Sequence, residues 1–162
     1  MSKWSFGQIN LRAVKQSART AVAAVASLLV AHLLRLPEAY WAPIATLIVM
    51  QSTLGAALPI SGLRFAGNAL GCILGACLAT YFPANIFVFG AGVFVVGIVS
   101  ALLRLEMYRF ASITLAIVLL AGHGQPPRMI ALHRFLEVSV GIVVALVLTA
   151  LWPESQKPGG KG

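Results

Sequence analysis

The sequence predicts an all-α membrane protein, a bundle of about six transmembrane helices, and three observations support this prediction. Of the 162 residues, 59% are hydrophobic and only 10% are charged, whereas about a quarter of the residues of a soluble domain carry a charge. The mean hydropathy is +0.91, and a soluble fold this apolar would expose large hydrophobic patches to water. The apolar residues also form successive runs, each close to the roughly 20 residues that cross a bilayer.

The apolar runs and the residues that interrupt them divide the chain into six candidate spans. These spans cover residues 17–34, 40–51, 63–82, 86–103, 107–120 and 131–152. The second span begins with the aromatic pair Tyr40-Trp41 and has Pro43 in its first turn, and both features favour a helix start at the membrane interface. The segment 54–62 is apolar but contains two glycines and a proline, so we interpret it as a loop or a re-entrant segment packed on protein.

The charges predict how these spans are oriented. The chain has 12 Lys and Arg against four acidic residues, a net charge of +8, and the basic residues lie singly at the ends of apolar runs. This pattern is typical of membrane-orientation signals and does not favour nucleic-acid binding. With the N-terminus in the cytoplasm, nine basic residues fall on the cytoplasmic side, namely Lys3, Arg12, Lys15, Arg19, Arg64, Arg104, Arg109, Lys157 and Lys161. Three fall on the far side, namely Arg35, Arg128 and Arg134.

The predicted organisation follows from the spans and the charge count. A basic cytoplasmic segment at 1–16 precedes a six-helix module at 17–153, and a polar cytoplasmic tail at 154–162 follows it. We therefore expect a multi-pass membrane protein with both termini in the cytoplasm.

Small residues at helical spacing predict close packing between helices. Gly67, Gly71 and Gly75 recur every four residues and lie on one face of the third span, and Gly141 lies in the sixth. In lipid, such residues let two backbones approach closely, and this contact replaces the missing hydrophobic drive. A glycine-lined groove for substrate is the alternative interpretation. The sequence shows no evident internal repeat.

Charged and polar side chains inside spans are the candidates for function, because they are costly in lipid. An arginine offers a planar fork that matches a carboxylate, and a neighbouring aromatic residue could stack on the ring of an aromatic acid. The predicted substrate-binding residues are Arg64, Asn68, Arg109, Arg134, Tyr40, Trp41 and Tyr108. Glu137 lies three residues after Arg134, so it could pair with that arginine or exchange a proton during transport. The alternative for each arginine is an anchor at the headgroups.

No catalytic or metal-binding pattern is present. Cys72 and Cys77 are five residues apart, so on a helix their side chains point in different directions and do not form a joint metal site. The sequence contains no HExxH motif, nucleotide-binding loop or nucleophile elbow. We therefore predict no metal, no cofactor and no enzymatic activity.

Four segments resemble the family of fusaric acid resistance proteins and aromatic acid exporters. They are EAYWAP at 38–43 followed by Gln51, Thr53 and Gly55, RxxGxxxGxxxG at 64–75, YRFA at 108–111, and RxxExxxG at 134–141 with Trp152-Pro153 behind it. Each segment is loose alone, but the four occur in the order expected for the family. Together they cover about residues 17–153.

The resemblance implies a six-helix inner-membrane module, similar in architecture to plant aluminium-activated malate channels. It also implies a permease subunit that exports organic acids, in particular aromatic carboxylic acids or related toxic compounds, driven by the proton gradient. Many relatives carry two such modules, and one small bundle is too narrow to enclose a pathway. We therefore expect a homodimer in the lipid bilayer, with a small organic anion as substrate and a membrane-fusion or other efflux component as a further partner.

Two other functions are compatible with the same sequence. A dimeric anion channel would conduct without a proton gradient, and a non-transporting subunit of a larger efflux complex would co-purify with other components but move no anion alone. An exporter differs from both in being coupled to protons.

Overall fold

The computed structural model describes residues 11–50, 53–103, 106–121 and 124–152, and these ranges form six α-helices with no strand. The helices are α1 (Leu11–Leu33), α2 (Trp41–Val49), α3 (Leu54–Tyr81), α4 (Ile86–Leu102), α5 (Tyr108–Leu120) and α6 (Pro127–Leu151). The predicted all-α class and the helix count are confirmed. The predicted basic segment at 1–16 contains the start of α1, and the predicted tail lies outside the described residues.

The segment 54–62 is helical, so its interpretation as a loop was wrong. Helix α3 begins at Leu54, and the Thr53 hydroxyl accepts a hydrogen bond from the Ala56 backbone N–H at 3.3 Å, which satisfies one of the free donors of the first turn. Pro59 lies inside the helix, where it lacks the N–H that would donate to the carbonyl of Gly55.

The early start of α3 changes the position of Arg64. The sequence pattern placed this arginine at the beginning of the third span, but it lies ten residues into α3, about 15 Å along the helix axis at 1.5 Å per residue. Arg64 is therefore an interior residue of the bundle, with only 6% of its surface exposed.

The helices differ in their capacity to cross a membrane. Helices α3 and α6, with 28 and 25 residues, are long and apolar enough to do so, whereas α4 and α5 are shorter apolar helices of 17 and 13 residues. Helix α2 has nine residues, a length of about 14 Å against a hydrocarbon core of roughly 30 Å. The helix in the second predicted span is thus long enough to cross only about half of the hydrocarbon core.

The last three helices repeat the packing of the first three in the opposite direction. We call α1–α3 the first set and α4–α6 the second. Helix α1 packs on α2 and α6, and its counterpart α4 packs on α5 and α3. The antiparallel pair α3–α6 joins the two sets. Arg19 of α1 donates to the Thr149 hydroxyl near the end of α6 at 3.2 Å, so α1 begins at the end of the bundle where α6 stops. With three helices in each set, α4–α6 run opposite to α1–α3, which is the arrangement of an inverted repeat.

The buried residues of α3 and α6 confirm this repeat at the level of single positions. Adding 70 to the number of a buried residue in α3 gives a buried residue of α6 in seven cases, namely 61 and 131, 64 and 134, 67 and 137, 68 and 138, 71 and 141, 72 and 142, and 75 and 145. Phe65 and Phe135 also differ by 70, and their rings meet edge to face at 5.1 Å, where a twofold axis would pass. The structure thus contains a repeat that the sequence analysis did not find.

The glycines pack helices together, as predicted. A Cβ added at Gly71 would overlap the Ala111 carbonyl oxygen, and one at Gly75 would lie 2.9 Å from the Val118 Cβ. In the other half, a Cβ at Gly141 would overlap the Ala42 carbonyl oxygen. Helix α5 therefore packs on the glycine face of α3, and α2 packs on that of α6. Because these faces are covered by helices, they do not form a glycine-lined groove for substrate in the described structure.

Candidate functional site

A buried ion-pair cluster lies where α2 begins beside α6. The Arg134 guanidinium donates through Nη2 to the Glu38 carboxylate at 2.5 Å, and its Nη1 lies 3.4 Å from the Glu137 carboxylate. The backbone N–H of Glu38 donates to Glu137 Oε1 at 2.9 Å. The predicted pairing of Arg134 with Glu137 is confirmed, and Glu38 is a second carboxylate on the same arginine.

Trp41 covers this cluster. Its ring centroid lies 4.0 Å from Arg134 Cζ, a cation–π distance, and its indole N–H donates to Glu38 Oε2 at 3.1 Å. The side chains of Arg134 and Glu137 are 3% and 1% exposed, whereas that of Glu38 is 43% exposed. Glu38 is therefore the one member of the cluster that solvent reaches directly.

Arg64 forms the corresponding centre in α3, without a carboxylate. Its Cζ lies 5.2 Å from the Phe110 ring centroid, and among the residues that the structure describes no acidic side chain pairs with it. Its Nε is buried without a hydrogen-bond partner there, as is the amide nitrogen of Asn68 one turn further on. The Asn68 carbonyl oxygen accepts from the Thr114 hydroxyl at 3.0 Å. The amide nitrogen of Asn68 takes no part in this bond. The site thus offers an uncompensated cation and an unpaired N–H donor.

The two arginine centres are equivalent positions of the repeat. Arg64 and Arg134 differ by 70 in number, and their aromatic partners Phe110 and Trp41 differ by 69. The same spacing of 69 relates Ala111 to Ala42, which face Gly71 and Gly141. Each arginine therefore lies beside an aromatic ring where the third helix of one half packs on the second helix of the other half.

Two cavities adjoin these centres. The inner cavity is small, with room for about one water molecule, and it is lined by Trp41, Arg64, Asn68, Phe110, Ile113, Thr114, Ile117, Arg134 and Val138. The end cavity has a volume of about 100 Å³ and is lined by Pro37, Glu38, Ile117, Ala121, Gln125, Ile130, His133, Arg134 and Glu137. Arg134 and Ile117 line both cavities, so they form the wall between them.

The structure brings together four of the seven predicted substrate-binding residues. Trp41, Arg64, Asn68 and Arg134 line the inner cavity. The remaining three, Tyr40, Tyr108 and Arg109, line neither the inner nor the end cavity.

The three residues outside the cavities have local partners. Tyr40 is 53% exposed, with its ring 5.6 Å from that of Trp41. Arg109 Nε donates to the Tyr108 hydroxyl at 3.0 Å on the exposed surface of α5. The pair Tyr108–Arg109 is therefore a surface feature in the described chain.

Glu38, Phe110 and Thr114 are parts of the site that the sequence analysis missed. A signal was present for Glu38, because it is one of only four acidic residues and lies three residues before Trp41. No comparable signal marked Phe110 or Thr114, which look like ordinary residues of an apolar helix. Their role depends on the contact between α5 and α3.

Comparison with known families assigns the chain. The fusaric acid resistance protein-like family matches residues 20–148, which include all of α2–α5 and most of α1 and α6. The chain belongs to this family. The resemblance seen in the sequence is thereby confirmed, and membership of the fusaric acid resistance protein-like family supports a function in membrane transport. The searches of curated proteins and of solved structures gave no significant match.

Proposed function

We propose that this member of the fusaric acid resistance protein-like family is a permease subunit of the bacterial inner membrane that exports organic anions, in particular aromatic carboxylates. The observation that carries the proposal is Arg64, a buried arginine with no carboxylate partner among the described residues, beside the unpaired amide nitrogen of Asn68. A buried cation of this kind is costly unless it is paired. A carboxylate can accept from both the guanidinium and the amide, and the Phe110 ring offers a face for an aryl group.

The inner cavity holds about one water molecule, so a larger anion enters only when helices separate. Helices α2 and α5 both contribute to the lining of the cavity, through Trp41 and Phe110, but their backbones do not pack against each other in the described residues. We propose that a movement separating these two helices admits the substrate.

Charge balance supports coupling to protons. Arg64, Arg134, Glu38 and Glu137 together carry no net charge when all four are ionised, and the two carboxylates lie at Arg134. An added anion gives the group a charge of −1 in a region where charge is expensive. A proton on Glu137, the most buried of the four, restores neutrality, so we propose that one proton accompanies each carboxylate. We further propose a homodimer with both termini in the cytoplasm.

The proposal is tested by flux in proteoliposomes. Purified protein is reconstituted, and uptake of radiolabelled benzoate is measured with and without an imposed pH gradient, with the neutral isostere benzamide as the control solute. We expect benzoate uptake driven by the pH gradient. Arg64→Gln removes a charge-assisted bond worth about 1.5–3 kcal/mol and should reduce transport about 10–100-fold. Arg128→Gln, an exposed arginine at the start of α6, is the matched control and should transport normally.

Glu137→Gln separates coupled export from the other functions. Its amide keeps a hydrogen-bond acceptor for the Glu38 N–H but carries no proton that titrates, so accumulation driven by the pH gradient should be lost. A channel would conduct benzoate equally in both proteins without a gradient. A non-transporting subunit would add nothing to the benzoate flux of protein-free vesicles in any condition, and this result would refute the proposed function.

A further inference from the structure

The inverted repeat allows one half of the site to be compared with the other, position by position. Where α6 has Glu137, α3 has Gly67, seventy residues earlier. Where the chain before α2 has Glu38, the chain before α5 has Met107, sixty-nine residues later. An arginine with an aromatic ring is thus kept at both centres, whereas both carboxylates lie at Arg134 and, among the described residues, none lies at Arg64.

The carboxylates at Arg134 show how this framework holds an anion. Glu38 Oε2 accepts from Arg134 Nη2 at 2.5 Å and from the Trp41 indole N–H at 3.1 Å, while the Trp41 ring centroid lies 4.0 Å from Arg134 Cζ. A carboxylate is therefore bound by a charged donor and a neutral donor beside an aromatic face. At Arg64 the same classes of group are present, with Phe110 as the ring and Asn68 as the neutral donor.

Resting on the proposed function, we propose that Arg134 is a second anion-binding position, equivalent to that at Arg64, and that Glu38 is an internal carboxylate which a substrate carboxylate displaces there. Glu38 lines the end cavity at Arg134, which together with Ile117 forms the wall to the inner cavity. Its displacement frees the guanidinium of Arg134 for a second anion, so the substrate passes from Arg64 to Arg134 and then to the end cavity. The ligand class at both positions is a monocarboxylate with an apolar or aryl substituent.

Three observations identify Glu38 rather than Glu137 as the displaceable group. The Glu38 side chain is 43% exposed and borders the end cavity, so solvation offsets the loss of its bonds when it leaves. Glu38 also lies in the connection between α1 and α2, outside the regular part of either helix. Glu137, by contrast, is 1% exposed within α6 and is held by the Glu38 backbone N–H. It stays beside Arg134 throughout the exchange.

The test is rescue of an Arg64 variant by removal of the internal carboxylate. Binding of radiolabelled benzoate to detergent-purified protein is measured for Arg64→Gln alone, for Glu38→Gln/Arg64→Gln, and for the charge-keeping control Glu38→Asp/Arg64→Gln. We expect the first to lose benzoate binding, the second to regain it by at least about tenfold, and the third to stay weak. Adding Arg134→Lys to the second protein should lower the regained affinity again, since lysine keeps the charge against Glu137 but lacks the fork.

This design distinguishes failure of the displacement proposal from failure of the proposed function. If wild-type protein binds benzoate and Arg64→Gln weakens it, but a correctly folded Glu38→Gln/Arg64→Gln protein shows no recovery, then the displacement proposal is wrong and the proposed function stands. If wild-type protein neither binds nor transports benzoate, the proposed function itself is wrong. Correct folding is judged by a single peak in size-exclusion chromatography in detergent and by an unchanged melting temperature.

A second measurement covers the case in which Glu38→Gln does not fold. Replacing Trp4 and Trp152 by Phe leaves Trp41 as the one tryptophan of the chain, and its indole N–H loses the Glu38 acceptor when that carboxylate is displaced. In the Arg64→Gln background, high benzoate should still shift Trp41 emission through the Arg134 position, and benzamide should not. No benzoate-dependent shift in this protein would overturn the displacement proposal.

Discussion

Arg64 and Arg134 occupy equivalent positions in the two halves of an inverted repeat, and each lies against an aromatic ring. Arg134 has two carboxylates within 4 Å, whereas Arg64 has none among the described residues. The two carboxylates are thus confined to one of two equivalent centres in the described chain. Under our proposal, the paired centre at Arg134 is structural in the described state and the centre at Arg64 binds the anion. This difference predicts opposite consequences when the two arginines are replaced.

The largest effect is expected from Arg134→Gln. The substitution leaves Glu137, at 1% exposure, as a buried carboxylate without its cation, and breaking a buried pair in this way costs about 3–5 kcal/mol. Reversible unfolding in mixed micelles should therefore show a large loss of stability. Arg128→Gln on the same helix is exposed and should change the free energy of unfolding by less than about 0.5 kcal/mol. Equal stability of the two variants would contradict a structural role for Arg134.

A smaller effect is expected where the glycines of α3 pack against α5. Gly71→Ala places a methyl group against the Ala111 carbonyl oxygen and the Thr114 Cβ, so α3 and α5 must separate, at a cost of about 1–3 kcal/mol. Gly62→Ala is the matched control in the same helix, because nothing lies within 4 Å of its added Cβ. It should be neutral or slightly stabilising, since alanine favours a helix by about 1 kcal/mol over glycine. Unfolding in mixed micelles measures both, and a stable Gly71→Ala protein would show that this contact is loose.

The sequence predicted most of the helices of this molecule but not the start of α3. Hydrophobic runs and their breakers gave five of the six helices within a few residues at most ends, because lipid-facing and core-facing positions are both apolar and leave a continuous signal. Helix α3 was predicted to start too late, since a helix with Pro59 near its beginning looks like a loop in the sequence. The error also moved Arg64 from the interior of the bundle to its edge.

The sequence likewise predicted some residues of the candidate site and missed others. Arg64, Asn68, Arg134 and Glu137 were predictable because polar groups in apolar runs need a reason to be there. Glu38 and Phe110 were not found, because their contacts join residues 96 and 46 positions away, to Arg134 and Arg64 respectively. The repeat was missed for a related reason. The two halves share few identical residues, and what they share is which positions are buried, a property that becomes visible only when the helices are packed.

The smallest effect on stability is expected from Arg64→Gln, and it is the sharpest check on the comparison of the two centres. Replacing an unpaired buried cation by a neutral side chain removes a desolvation cost and breaks no ion pair among the described residues. The free energy of unfolding in mixed micelles should stay the same or rise by about 1 kcal/mol, although benzoate transport falls. Arg134→Gln measured in parallel should move in the opposite direction. A clear loss of stability in Arg64→Gln would mean that this arginine has an acidic partner in the folded protein, for example across a dimer contact, and that the two centres are both structural.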